Sequence, residues 1–312
     1  MDDKTLHEVN SIFQQPWWLD AVAPGQWGAA VVNRGEEVAA RLPYVLGKRY
    51  GMKAIIMPEL TQTAGPWLRK STAKYANQIS EQKELMGELV AQLPEVDYFC
   101  QSFSTSITNW LPFYWHGFQQ TTRYTYRIED LSDTEKIWAS FAKNARNNIR
   151  KAEKLVTVRS DLELDRFLRV NSLTFLRQNM EVPISEDSIR RLDNACLAHD
   201  ARKMFFAEDA QGRIHAGVYL VWDSNTAYLI MSGEDPELRN SEACSLLVWE
   251  AIKFASTVTR VFDFEGSMIE SIERFFRSFG ATQTPYFQLT KMSRKMRIAE
   301  HGRELIKALL NR

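Results

Sequence analysis

Val261-Phe262-Asp263-Phe264-Glu265-Gly266-Ser267, followed by Ile272-Glu273-Arg274-Phe275-Phe276-Arg277-Ser278-Phe279-Gly280, carries the pattern that decides the fold. Phe262 and Phe264 alternate with Asp263 and Glu265, which predicts a short strand over 261–265 with one apolar and one acidic face. Ser267-Met268-Ile269-Glu270 then reads as a helix start, with Ile269, Ile272, Phe276 and Phe279 on one side. Gly280 supplies the left-handed stop that commonly closes a helix. A strand near 283–290 and a final helix complete this end of the chain.

Upstream, Cys244, Leu247, Val248, Ala251, Ile252 and Ala255 make a 3-4 apolar stripe, so a well-buried helix precedes the strand. Three strands come before it, over 202–208, 213–222 and 225–232. Helical pattern fills most of 133–199, opened by the capping box Ser132-Asp133-Thr134-Glu135. The first part of the chain repeats this order. Its strands fall near 27–33, 37–46 and 53–57, then come a loop at Pro58–Pro66 and a helix over 72–92. A strand near 96–103, an aromatic helical piece and a strand near 118–129 follow.

Laying Phe99-Cys100 on Phe262-Asp263 also puts Ser104 on Ser267, Phe113 on Phe276 and Gly117 on Gly280, without a gap. The shared element order argues for an internal duplication. The expected class is α/β (α+β), with two similar domains, each a mixed central sheet flanked by helices. The expected boundaries are 1–130, 131–290 and a basic C-terminal helix over 291–312.

Composition narrows the function. Lysine and arginine number 39, as do aspartate and glutamate, so the 312-residue chain has no net charge. Any polyanion contact must come from a local basic patch. Three scattered cysteines without a CxxC pair argue against a disulfide framework or zinc cage. The acidic, polar start Met1-Asp2-Asp3-Lys4 is unlike a signal peptide, and no apolar run is long enough to span a membrane, so the expected location is cytoplasmic. No P-loop, GxGxxG, GxSxG or HExxH pattern occurs. What remains is chemistry by positioning and hydrogen bonding, as in direct acyl transfer to an amine.

Four constellations fit such chemistry. In a helix around 137–154, Ile137, Phe141, Ala145, Ile149 and Ala152 form an apolar stripe, while Lys143, Arg146, Asn147, Arg150 and Lys154 share another face. Such a face suits a phosphate or diphosphate, or is a solvated helix surface. The segment after Ser232 runs from a strand through Arg239, Asn240, Ser241 and Ala243 into the buried helix, where free N–H groups can hold a phosphate. Glu242 opposes that use, and a plain loop with a capped helix reads equally well. Asp263 and Glu265 can orient or deprotonate an amine, or serve as a helix cap and an arginine partner. The basic amphipathic stretch 291–312 fits RNA, an anionic bilayer surface or packing on the body.

Several stretches together resemble the FemABX-like branch of the GNAT acyltransferase superfamily, which includes peptidoglycan-bridge aminoacyltransferases. They are Gln15-Pro16-Trp17-Trp18-Leu19-Asp20-Ala21, Pro58-Glu59-Leu60-Thr61-Gln62-Thr63-Ala64-Gly65-Pro66, Lys143–Ala152, Phe262–Ser267 and Phe275–Ala281. The resemblance implies tandem GNAT-like domains and transfer of an aminoacyl or acyl group to an amine on a phosphate-bearing, muropeptide-type cell-envelope precursor. It implies acceptor-binding roles for Trp17, Thr61 and Gln62 beside the 143–154 helix. The donor-binding turn would be Arg239, Asn240, Ser241 and Ala243. Asp263 or Glu265 would handle the amine, and Tyr286 and Lys291 the oxyanion or leaving group. No permanently bound cofactor or metal is implied. The co-substrate is acyl-CoA or aminoacyl-tRNA, and the partners are a small-molecule or lipid-linked acceptor, with tRNA in the second case. Two other functions share this frame: acyl-CoA-dependent N-acylation of an amino sugar or small amine, and a non-catalytic binding module.

Overall fold

The computed structural model describes residues 9–176, 183–266 and 268–310. The chain forms two compact units, one of residues 1–123 with 285–312 and the other of residues 124–284.

In the first unit, Pro16 at the first helical position starts α1 (Pro16–Val22). Strands β1 (Trp27–Arg34), β2 (Glu37–Arg49) and β3 (Met52–Ile56) form an antiparallel meander, with the short β4 (Trp67–Leu68) against β2. Helix α2 (Tyr75–Ala91) crosses back to β5 (Tyr98–Ser102), which runs parallel to β3. Then come α3 (Leu111–Trp115) and β6 (Gln119–Ile128). Alternate strand residues and one face of α2 supply the core, which includes Ile55, Leu85, Leu89, Phe99, Phe103 and Phe113.

In the second unit, α4 (Thr134–Ser140) and α5 (Lys143–Ala152) lead through β7 (Thr157–Arg159) to α6 (Leu164–Leu176) and α7 (Glu186–Ala198). Strands β8 (Arg202–Glu208), β9 (Ile214–Trp222) and β10 (Thr226–Glu234) form a second meander. Helix α8 (Ala243–Val258) crosses back to β11 (Val261–Asp263), parallel to β10. Then come α9 (Glu270–Arg277) and β12 (Thr282–Met292). The apolar stripe of α8 is fully covered: Leu247, Val248, Ala251, Ile252 and Ala255 are completely buried. Truncating Leu247 to alanine there should cost about 2–5 kcal/mol.

Both units therefore run meander, crossover helix, parallel strand, short helix, strand. The two glycines matched in sequence, Gly117 (φ +81°) and Gly280 (φ +69°), both adopt the left-handed conformation just after the short helix. The final strands are exchanged. β6 begins in the first unit and ends in the second, where it pairs with β11, while β12 begins in the second and returns to pair with β5. The last helix, α10 (Arg294–Leu310), buries Met296 against Ala54 and Tyr98 of the first unit. Residues 285–312 thus group with the first unit, whereas the sequence pattern assigned 131–290 to the second domain and 291–312 to a separate helix.

Three local expectations change. The helix expected around 137–154 is two helices, broken at Phe141 and Ala142, because Ala142 N–H donates to Ser278 O instead of continuing the helix. The cap of α4 is Asp133, which accepts from Lys136 N–H at 2.9 Å, rather than Ser132. The strand expected over 261–265 ends at Asp263. Ser267, read as a helix cap, lies outside the described residues.

Candidate active site

The end of β11 brings two carboxylates together in an environment built by β6. Register pairs Asp263 with Arg127, and Thr125 projects on the same side of β6 as Arg127. Asp263 is buried. Its Oδ1 accepts from the Thr125 hydroxyl and from Glu265 N–H (2.8 Å), and Oδ2 lies 3.6 Å from Arg127 Nε. These donors satisfy the carboxylate in its buried position.

Glu265 does not continue the strand. It has φ +58°, and Gly266 follows at φ +65°. The turn swings Glu265 out of the alternation that would have set it beside Asp263 on one face. Gly266 is packed so closely on β6 that an added Cβ would sit 2.2 Å from Tyr124 O and 2.6 Å from Thr125 Cα. Only glycine fits there. The Glu265 residue keeps some exposure, yet its Oε1 is sealed and has no hydrogen-bond partner among the described residues. Burial, and then the neighbouring Asp263 charge, push its carboxyl pKa well above the usual carboxylate range. The two acids therefore sit in different environments: Asp263 is held by several donors, and Glu265 has a carboxyl whose pKa is raised.

The expected acceptor helix and donor turn also meet within this unit, since α5 packs on α8 and on the single 3-10 turn Arg239–Ser241. Ala145, Ile149 and Ala152 of α5 are buried as the stripe requires. Lys143, Asn147, Arg150 and Lys154 are exposed, while Arg146 is half-buried and donates to Ala139 O at 2.9 Å, closing the end of α4. Arg150 lies 5.7 Å from the Trp138 ring centre. Among the described residues none of these cations is ion-paired to a carboxylate.

The turn itself is poorly furnished for an anion. Arg239 is exposed but engaged by Glu234 (2.7 Å). Asn240 is exposed, and the buried Ser241 hydroxyl donates to Leu238 O at 2.8 Å. Ala243 is buried at the first turn of α8, and Glu242 occupies the N-cap with φ +62° and no side-chain cap bond. A carboxylate there does not favour a second anion. Cys244, beside it, has its thiol pushed up to about 12 by burial and then by Glu234, so it stays protonated.

The remaining expected residues belong to the first unit. Thr61 accepts from Trp18 Nε1 (3.0 Å) and donates to Glu59 O (3.0 Å), so its hydroxyl locks the 58–66 loop to α1. Trp17 meets Trp18 edge-on at 5.9 Å, and Gln62 is half-buried. Tyr286 is buried on β12. Lys291 has its Nζ 5.0 Å from the Phe118 ring centre.

Thr125, Arg127 and Gly266 were not singled out from the sequence. The first two alternate with Tyr124, Tyr126 and Ile128, at the end of a strand face that is polar from Gln119 through Thr121 and Arg123. That spacing is the signal that could have found them.

Residues 139–277 match the acetyltransferase (GNAT) domain family. The second unit is thus similar to GNAT acetyltransferase domains over most of its length. The match spans α5, the β8–β10 meander, α8, β11 and α9, so every second-unit residue of the candidate site except Thr125 and Arg127 lies within it. No curated protein sequence matches the chain. Among solved structures, the fold is similar to that of FemX, at TM-score 0.66 and 12% identity over 88% of this chain and 91% of that one. It is also similar to L-PGS from Bacillus licheniformis (TM-score 0.53, 10% identity, 88% and 87% covered). A tandem GNAT protein from the clavulanic acid biosynthesis pathway matches at TM-score 0.52 and 11% identity, over 93% and 95%. At such identities these likenesses speak for the fold: a FemX-like, tandem GNAT architecture.

Proposed function

We propose that this chain transfers an acyl or aminoacyl group to the amine of a phosphate-bearing acceptor of the cell-envelope precursor class, with Glu265 as the acid–base group and α5 as the phosphate-binding face. The observation that carries the reading is the sealed, unpartnered Glu265 Oε1 beside the anchored Asp263. An acceptor ammonium must lose a proton before its nitrogen can attack. A carboxyl whose pKa is raised is, once ionised, a stronger base than an ordinary glutamate. In the reaction the amine nitrogen bonds to the donor's carbonyl carbon. One ammonium proton passes to the ionised Glu265, the bond from that carbon to the thiol sulfur or ester oxygen of the donor breaks, and a second proton from the attacking nitrogen passes to the leaving group.

The free cations of α5 support the acceptor phosphate. The acidic turn at 239–243 supports donor binding less well than a turn rich in free N–H groups would. Both donors, acyl-CoA and aminoacyl-tRNA, stay within the proposal. Thermal shift of the full chain with coenzyme A, a UDP-linked muropeptide and tRNA in turn is the test. Stabilisation by the muropeptide, lost in Arg150→Ala, is the expected result. Stabilisation by none of the three would leave a binding module for some other ligand.

A further inference from the structure

The β2–β3 hairpin tip and α10 form one surface of the first unit whose chemistry the transfer reaction does not use. They are tied together: Arg49 is ion-paired to Glu300, the Arg303 guanidinium lies 5.1 Å from the Tyr50 ring centre, and Met52 packs beside buried Met296. Lys48 and Lys53 are exposed on the hairpin, and Arg294, Lys295 and Arg297 are exposed on the helix. None of these five is ion-paired among the described residues; of the nearby acids, Glu300 is taken by Arg49 and Asp97 accepts from the Ser293 hydroxyl at 2.8 Å. In a chain without net charge, this is a local excess of cations.

The same surface exposes apolar side chains that a solvated helix would not need. Ile298 is 66% exposed and Ile306 is 59% exposed, two turns apart on α10, while Leu46 and Tyr50 are 42% and 40% exposed on the hairpin. Met296 already supplies the inward anchor of the helix, so the isoleucines are a second, outward apolar set. No helix of the described residues is long and apolar enough to cross a membrane.

We infer that the hairpin tip and the outer face of α10 dock this protein on an anionic phospholipid surface. Clustered cations with interspersed outward apolar residues are the combination that binds a bilayer interface: the charges draw the helix to the headgroups and the isoleucines enter the acyl boundary. Nucleic acid would use the cations but gives no reason for exposed isoleucines, so a lipid partner accounts for more of the surface.

Sedimentation of the full chain with vesicles tests this. One set is phosphatidylcholine alone, and the other is an equal mixture of phosphatidylcholine and phosphatidylglycerol. At low salt the chain is expected to sediment with the mixed vesicles and stay in solution with the neutral ones. Arg294→Ala with Lys295→Ala should weaken that binding by about tenfold or more. Ile298→Asp should weaken it too, with an unchanged melting temperature, because the residue is exposed. Because an added carboxylate would repel either polyanion, the uncharged Ile298→Ser separates the two: loss of vesicle binding in that variant supports docking on lipid. The inference is overturned by no binding to mixed vesicles, by binding that Ile298→Asp or Ile298→Ser leaves intact, or by binding to single-stranded RNA in preference to the mixed vesicles.

Discussion

The two units put very different residues at the same place in the same frame. In the second, the end of β11 and the turn after it read Asp263, Phe264, Glu265 and Gly266. The matched positions at the end of β5 are Cys100, Gln101, Ser102 and Phe103. The first unit closes this end with neutral groups: Gln101 donates to Pro43 O, Ser102 accepts from Gln288, and Phe103 is fully buried with its ring edge-on to Phe113. The second keeps two acids there, one anchored by hydrogen bonds and one whose carboxyl pKa burial raises. The same frame thus holds carboxylates in one copy and neutral groups in the other, and the proposed chemistry rests on that difference.

The sharpest way to break the comparison is at Gly266, whose counterpart is the bulky Phe103. Gly266→Ala meets the β6 backbone at 2.2 Å in a left-handed conformation. It is expected to destabilise the second unit by about 3 kcal/mol or more, read as a lowered melting temperature and urea midpoint. A variant as stable as the parent would mean that β6 yields easily.

Next comes Glu265→Gln, which should lower turnover by about 10²–10⁴-fold, the usual worth of a general base. Its stability should move the other way. A carboxyl with a raised folded pKa contributes stability that is complete below its unfolded pKa and is lost as pH rises through the folded value. The parent should therefore weaken from mildly acidic to alkaline pH, and Glu265→Gln should flatten that slope. Asp263→Asn should instead lose stability, since Thr125 and the Glu265 N–H both donate to that carboxylate. Unchanged turnover in Glu265→Gln would assign both acids to the scaffold.

Arg150→Ala should weaken acceptor binding by about 1.5–3 kcal/mol with little change in melting temperature. Arg146→Ala should lose both, because Arg146 also closes α4. Titration calorimetry with a UDP-linked muropeptide, beside a melt, distinguishes the two. Smallest of all should be Cys100→Ala, at the counterpart of Asp263. Burial raises the pKa of that thiol, and no change in turnover is expected. A marked loss there would show that the first copy also takes part in chemistry.

These contrasts also show what the sequence made legible. The 3-4 stripe of α8 and the alternation of β8 to β10 are periodic over many residues, and both elements appear close to where the pattern sets them. The match of Gly117 with Gly280 located the repeat. The break between α4 and α5 was invisible, because Phe141 and Ala145 keep helical spacing across it and the hydrogen bond that interrupts it comes from Ser278, far along the chain. Asp263 and Glu265 were found as residues, but not as an arrangement. Alternation was extended two residues too far, past a turn that Gly266 and the β6 backbone impose. The strand exchange left no local trace at all, since which neighbour a terminal strand joins is not written in its own alternation.

That exchange has a consequence for how the molecule is made. The sheet of the first unit takes β12 against β5, and its core takes Leu289. Those residues leave the ribosome some 180 positions after β5. The first unit therefore cannot finish folding when its own N-terminal segment has been made, and must wait with the edge of β5 open until β12 has emerged. Such late, long-range pairing is slow and leaves a strand edge exposed to other chains. A nascent chain stalled before residue 285 should bind chaperones and be cut by protease within residues 1–123, and adding a peptide of residues 282–312 in trans should protect it.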